Sequence, residues 1–117
     1  MNQEDLRQFT GTEKWYRTLL YGDYLFTDGV KYVAEEGGAY WLIDKIFSCA
    51  AHVKELERED FQTWKLIRHR EGDGASLICE DGNYNRLYSE DIEFTDFPMK
   101  SIELYFINRV LLLPSEY

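Results

Sequence analysis

Four side chains in this sequence could hold a soft metal or act as nucleophile and base: Cys49, His52, His69 and Cys79. Cys49 and His52 stand at i and i+3, which puts both on one side of a helix. His69 and Cys79 fall in stretches that alternate like strands. A two-cysteine, two-histidine zinc site is the chemistry such a set would support. The spacing matches no standard finger, and each residue has a simpler role as a core thiol or a strand surface group. Neither cysteine has the glycine-rich or helix-start setting that lowers a thiol pKa, which argues against a cysteine nucleophile. A second set, Glu90, Asp91, Glu93 and Asp96, could hold Mg²⁺ for metal-assisted hydrolysis, but no neighbouring group completes a reacting constellation. Glu80-Asp-Gly-Asn-Tyr-Asn85 lacks the alternating ligands and closing glutamate of an EF-hand and reads instead as a hairpin turn. Gly72-x-Gly74 also lies in a hairpin, not ahead of a helix where it could cradle phosphate. Neither catalysis nor a resident metal or cofactor is expected; a metal-dependent hydrolase or zinc-binding protein is the alternative.

The same acids have a better use as a binding face. The chain carries 22 acids against 13 bases, a net charge of −9. Between Glu71 and Glu103 nine acids face two bases, Arg86 and Lys100, a local charge of −7, while the first seventy residues hold twelve acids and ten bases. Such a field repels nucleic-acid phosphates and attracts a protein with a basic surface. Asp91, Glu93 and Thr95 would point one way along a strand, about 6.8 Å apart. Glu103, Tyr105 and Ile107 would point outward if Ile102, Leu104 and Phe106 face the core. The expected partner-binding set is therefore Glu90, Asp91, Glu93, Asp96 and Glu103 for charge, with Tyr84, Tyr88 and Tyr105 as aromatic anchors. Rows of carboxylates with tyrosines between them can occupy a groove that normally holds a nucleic-acid backbone. A merely solvated sheet face is the plain alternative for the same residues.

Those side chains need a scaffold. The most apolar stretch, Ala39–Ala51, places Leu42, Ile43, Ile46, Phe47, Ala50 and Ala51 at helical spacing and leaves Asp44, Lys45 and Ser48 wet. This core helix is expected to reach past His52 through Leu56 toward Asp60. Before it, Asn2–Phe9 reads as a short amphipathic helix, and the segment from Glu13 begins as a strand. Gly22-Asp23 makes a turn, and Thr27-Asp28 begins a helix that Gly37-Gly38 stops. From Phe61 the period changes to two. Trp64 and Leu66, then Ala75, Leu77 and Cys79, then Tyr84, Arg86 and Tyr88 alternate in strands joined at Glu71–Gly74 and Asp81–Asn83. Ile92 and Phe94 suggest a further short strand. Pro98 interrupts, and strands at Ile102–Phe106 and Val110–Leu113 turn through Asn108-Arg109. The reading is a single α+β domain over residues 1–117, with N-terminal helices packed on a C-terminal antiparallel β-sheet of about five strands. The nearly uncharged ending, Leu104 to Pro114, could finish a sheet edge that pairs with a second copy, so a homodimeric accessory protein is a further alternative.

No run approaches the roughly 20 apolar residues of a membrane span. The start, Met-Asn-Gln-Glu-Asp, lacks the order of a signal peptide. A soluble cytoplasmic protein with reduced cysteines is expected.

Leu6-Arg-Gln-Phe-Thr-Gly-Thr-Glu13, Thr27-Asp-Gly-Val-Lys-Tyr32, Gly38-Ala-Tyr-Trp-Leu-Ile-Asp44, Cys79-Glu-Asp-Gly-Asn83, Ile92-Glu-Phe-Thr-Asp-Phe-Pro98 and Val110-Leu-Leu-Leu-Pro-Ser-Glu-Tyr117 span nearly the whole chain. Together they resemble a small uncharacterised family of bacterial and mobile-element proteins known only as a domain of unknown function. The resemblance implies one domain, no catalytic motif, and a setting of plasmids and phages in which small proteins oppose host defence. Joined to the acidic face, it implies an inhibitor of a nucleic-acid-handling host complex, anti-CRISPR-like in action.

Overall fold

Thr27, Asp28 and Glu116 together explain why the second helix starts where it does. In the computed structural model, which describes residues 1–117, helix α1 spans Gln3–Leu6 and strands β1 and β2 span Trp15–Tyr16 and Leu25–Thr27. Helix α2 runs Asp28–Gly37. Thr27 accepts at 3.4 Å from the Val30 N–H, as an N-cap should. Its own hydroxyl donates to Glu116 Oε1 at 2.6 Å, and the Gly29 N–H donates to Glu116 Oε2 at 3.1 Å. The Leu113 N–H donates to the same carboxylate at 2.9 Å. On the outer side, Asp28 accepts from the Glu13 N–H and the Tyr16 hydroxyl, each at 2.9 Å. These bonds hold the Asp28 carboxyl below its ordinary pKa, the Glu13 backbone donor foremost.

Gly38 closes α2 in the left-handed region at φ +61°, a conformation that suits glycine. Helix α3 follows at once, Tyr40–His52, and buries Leu42, Ile43, Ile46, Phe47, Cys49 and Ala50. It is shorter than expected. Val53 turns extended, and Lys54–Leu56 forms a separate 3-10 turn that drops Leu56 into the core. α1 is likewise shorter than Asn2–Phe9, although Asn2 and Asp5 form a reciprocal capping box.

Strands β3 (Phe61–Arg68), β4 (Ala75–Glu80), β5 (Arg86–Ile92), β6 (Ser101–Ile107) and β7 (Val110–Leu112) complete the molecule. The α+β class holds, but the sheet has seven strands in the order β1-β2-β7-β6-β3-β4-β5 and is mixed. β2 lies parallel to β7, while every other pair is antiparallel. Helices and sheet are thus not separate halves, because β1 and β2 come from the N-terminal part. They are too short to show alternation, and pairing in space defines them. The strand expected around Ile92 and Phe94 is not separate: Ile92 ends β5, and Glu93–Lys100 is irregular. Asn108 and Arg109 both take positive φ, 49° and 69°, which matches the twist a two-residue hairpin needs. That hairpin puts β7 between β6 and β2. The ending Leu104–Pro114 therefore supplies interior strands and offers no edge to a second copy.

α2 and α3 cover one face of the sheet, where Phe26, Trp64, Leu66, Leu77, Leu104, Phe106 and Leu111 are buried with them in one core. No helix is long and apolar enough to cross a membrane.

Two substitutions probe this arrangement by denaturant unfolding. Leu42→Ala, at a side chain 2 % exposed, is expected to cost about 2–5 kcal/mol. Gly29→Ala would bring a Cβ within 2.6 Å of Leu113 Cδ1 and 2.7 Å of Glu116 Oε1, an overpacking expected to cost about 1–3 kcal/mol. Unchanged stability in the Gly29 variant would mean that the C-terminal turn does not seat on α2.

Candidate functional site

Side chains alternate across a strand, so the register decides which predicted site residues share a face. Pairing of Leu77 with Glu90 and of Cys79 with Tyr88 puts Glu90 and Tyr88 on the helix-covered side. There Lys45 Nζ of α3 lies 2.9 Å from Glu90 Oε2, and the Tyr88 hydroxyl donates to Glu90 Oε1 at 2.6 Å. The Tyr88 bond and then Lys45 hold the Glu90 carboxyl below its ordinary pKa; donating to Glu90 pushes the Tyr88 phenol up. Glu90 and Tyr88, expected at a binding face, instead fasten the edge strand β5 to α3.

Apart from Glu103, the remaining predicted residues divide between the two ends of the uncovered sheet face. At one end, Asp91 points away from the helices and accepts a 3.4 Å bond from Ser76 Oγ. Glu93 and Asp96 are exposed in the irregular segment after β5, which is tied to the β3–β4 turn by the Thr95 N–H donating to the Asp73 carbonyl at 2.7 Å. Thr95 itself is buried and does not join a row with Asp91. At the other end, Phe61, Tyr105 and Tyr117 form a corner with centroid separations of 5.2, 5.7 and 5.9 Å and steep ring angles. Tyr84 projects from the β4–β5 turn at φ 66°, 81 % exposed, beside Gly82, whose backbone lies close to the Phe61 ring. Burial, then the nearby Glu103 carboxylate, raises the Tyr105 phenol.

Glu103 stands between these ends, across from Lys65 on β3, and Lys65 is bound to Glu80 at 2.8 Å. Ile67 and Ile78 occupy the same face. Along one side α1 and the C-terminal turn Pro114–Glu116 rise above the strands and leave a groove of about 610 Å³, lined in part by Gln3, Arg7, Lys65, Ile67, Glu103 and Pro114. Sequence reasoning missed Phe61, Ile67, Tyr117 and this wall. A signal was present: β3 carries Phe61 and Ile67 on the face opposite Trp64 and Leu66. A strand apolar on both sides is one that expects to be covered twice.

The residues considered for metal or nucleophilic chemistry do not converge. Cys49 and Cys79 are buried thiols, both pushed up by burial. His52 lies at the end of α3 against Tyr21, and His69 lies past the opposite end of β3. No group of three or more His, Cys, Asp or Glu side chains has metal-holding geometry. The four acids considered for Mg²⁺ are split, with Glu90 facing the helices and Asp91 the other side. His69 Nε2 does lie 3.1 Å from Ser76 Oγ, which also bonds Asp91. Here the hydroxyl sits between imidazole and carboxylate, whereas activating a serine requires the imidazole in the middle.

Glu90→Gln should destabilise the fold by about 1 kcal/mol at neutral pH through loss of the charge-assisted bonds. Because the folded pKa is depressed, this stabilisation is complete above the unfolded carboxylate value and is lost as pH falls through the folded one. Wild type and variant should therefore converge in unfolding free energy once the pH is taken below the folded value of the Glu90 carboxyl. A gap that persists there would assign Glu90 another role.

No curated protein and no solved structure matches this chain. One family model does, and it covers the structure from α1 to the C-terminal turn: over residues 1–117 the chain belongs to a family of unknown function, DUF6876.

Proposed function

We propose that this protein is a non-enzymatic binding module whose uncovered sheet face docks on a basic protein surface. The observation that carries this reading is the composition of that face. It joins an exposed aromatic corner (Phe61, Tyr84, Tyr105, Tyr117) to the carboxylates of Glu103, Asp91 and Glu93. Aromatic rings supply contact area at little entropic cost, and two of the four are more than 70 % exposed. Carboxylates on the same face favour guanidinium and ammonium partners and raise the rate of encounter. The partner class is a protein with a basic groove of the kind that receives a nucleic-acid backbone, and occupying it would block that backbone. An anti-defence inhibitor is one protein of this type. At the acidic end the Ser76 hydroxyl lies between His69 and Asp91, an order unlike that of a catalytic triad, which favours the binding reading.

The test is affinity capture from a host lysate, followed by quantitative binding to the protein identified. The triple variant Asp91→Lys, Glu93→Lys, Glu103→Lys should lose at least about tenfold in affinity at low salt, and wild-type affinity should fall as salt rises. Tyr105→Ala with Tyr117→Ala should lose a comparable amount with little change in salt dependence. Glu90 is left unaltered because its reversal would break the Lys45 pair. If both variants bind the identified partner as tightly as wild type, the uncovered face is not the docking surface.

A further inference from the structure

At the opposite edge of the sheet from the acidic strand β5, the chain exposes apolar side chains that nothing in its own fold covers. β1 is only two residues long, and the loop after it presents Leu19 and Leu20 at 105 % and 79 % relative exposure. Tyr40, also exposed, lines one cleft with these leucines. Adjacent leucines at a loop tip lose free energy to water unless something receives them. The inner side of this loop forms one wall of that cleft, of about 350 Å³, with Arg17, Leu19 and Leu20 facing Phe26, Tyr40 and Asp44. Arg17 and Asp44 thus stand on one cleft with opposite charges. Neither has an ion-pair partner within the chain, where the pairs are Met1–Asp5, Lys31–Glu35, Lys45–Glu90 and Lys65–Glu80.

We infer that this edge is a two-fold interface between two copies of the chain. A patch holding knob, cleft, cation and anion together is self-complementary. A two-fold axis lays the Leu19–Leu20 loop of each copy into the other's cleft and sets each Arg17 against the other copy's Asp44. Charge singles out this edge for a second copy. Two chains of net charge −9 repel where their acids meet, and the excess of acid over base gathers between Glu71 and Glu103, around β5 and the turns beside it. Pairing at β1, six strands away across the sheet, separates the acidic ends by far more than the roughly 8–10 Å over which salt screens them. The uncovered sheet faces stay free in such a dimer, so the inference does not depend on the binding role proposed above.

Sedimentation equilibrium of the full chain should give a dimer at micromolar concentration. Leu19→Asp with Leu20→Asp should give a monomer with an unchanged circular dichroism spectrum, since both side chains are exposed. Arg17→Asp alone and Asp44→Arg alone should each weaken self-association by at least about tenfold, because each sets like charges together twice. Mixing those two variants should restore a dimer containing one chain of each, in which both cross-pairs are again opposite in sign. A monomeric wild type, a double-leucine variant that remains dimeric, or a mixture that fails to recover would each overturn the inference.

Discussion

The N-terminus of α2 is the constraint on which the remaining parts depend. A helix start leaves backbone donors pointing outward with partial positive charge, and carboxylates relieve both needs at once. Two do so here, from opposite ends of the chain. Asp28 draws the Glu13–Tyr16 arm inward and so fixes β1 beside β2. Glu116 reaches back to Thr27 and Gly29 and so fixes the turn that follows β7. Between these two anchors β2 and β7 lie parallel, one strand in from the β1 edge of the sheet. Gly29 is required because the Leu113 and Glu116 side chains occupy the space a Cβ would fill.

A second polar network does the same work at the far edge. β5 is an edge strand, and an edge tends to fray or recruit foreign strands. Lys45, Glu90 and Tyr88 bind it to α3, and a register shift at Cys79–Glu80 twists it where the turn begins. The cost is that a carboxylate and a tyrosine of the kind suited to binding are engaged in contacts within the molecule. The consequence for function is a division of labour among acids that look equivalent in sequence. Glu90 holds the fold, while Asp91, one residue on, faces the solvent side.

The sheet is apolar on its helix-covered face and mixed apolar and charged on the other. Phe61, Ile67, Ile78, Tyr105 and Ile107 therefore remain on a surface of aromatic and charged character, walled on one side by α1 and the C-terminal turn. The acids concentrated around β5 and the exposed leucines after β1 lie near opposite edges of the sheet.

Local rules were enough for much of this. The apolar stripe of α3, the Thr27 cap, the Gly37-Gly38 stop, the change to period two at Phe61 and the outward row Glu103–Tyr105–Ile107 all depend on residues within a few positions of one another, where φ/ψ preference and side-chain period act directly. The sequence also determined the concentration of acid after Glu71, since charge needs no fold to be counted. Tertiary structure decided what depends on pairing across long separations. It made Trp15–Tyr16 and Leu25–Thr27 strands, because segments of two or three residues carry no period of their own and are extended only beside a partner. It put β7 inside the sheet by inserting β2 next to it. It turned Glu90 toward Lys45 and Asp91 away, because the face a strand residue takes is set by the register with β4, and a one-residue slip would exchange the two. It gathered Phe61, Tyr105 and Tyr117, far apart in the chain, into one corner, since only the paired strands and the folded-back C-terminal turn bring those rings within contact.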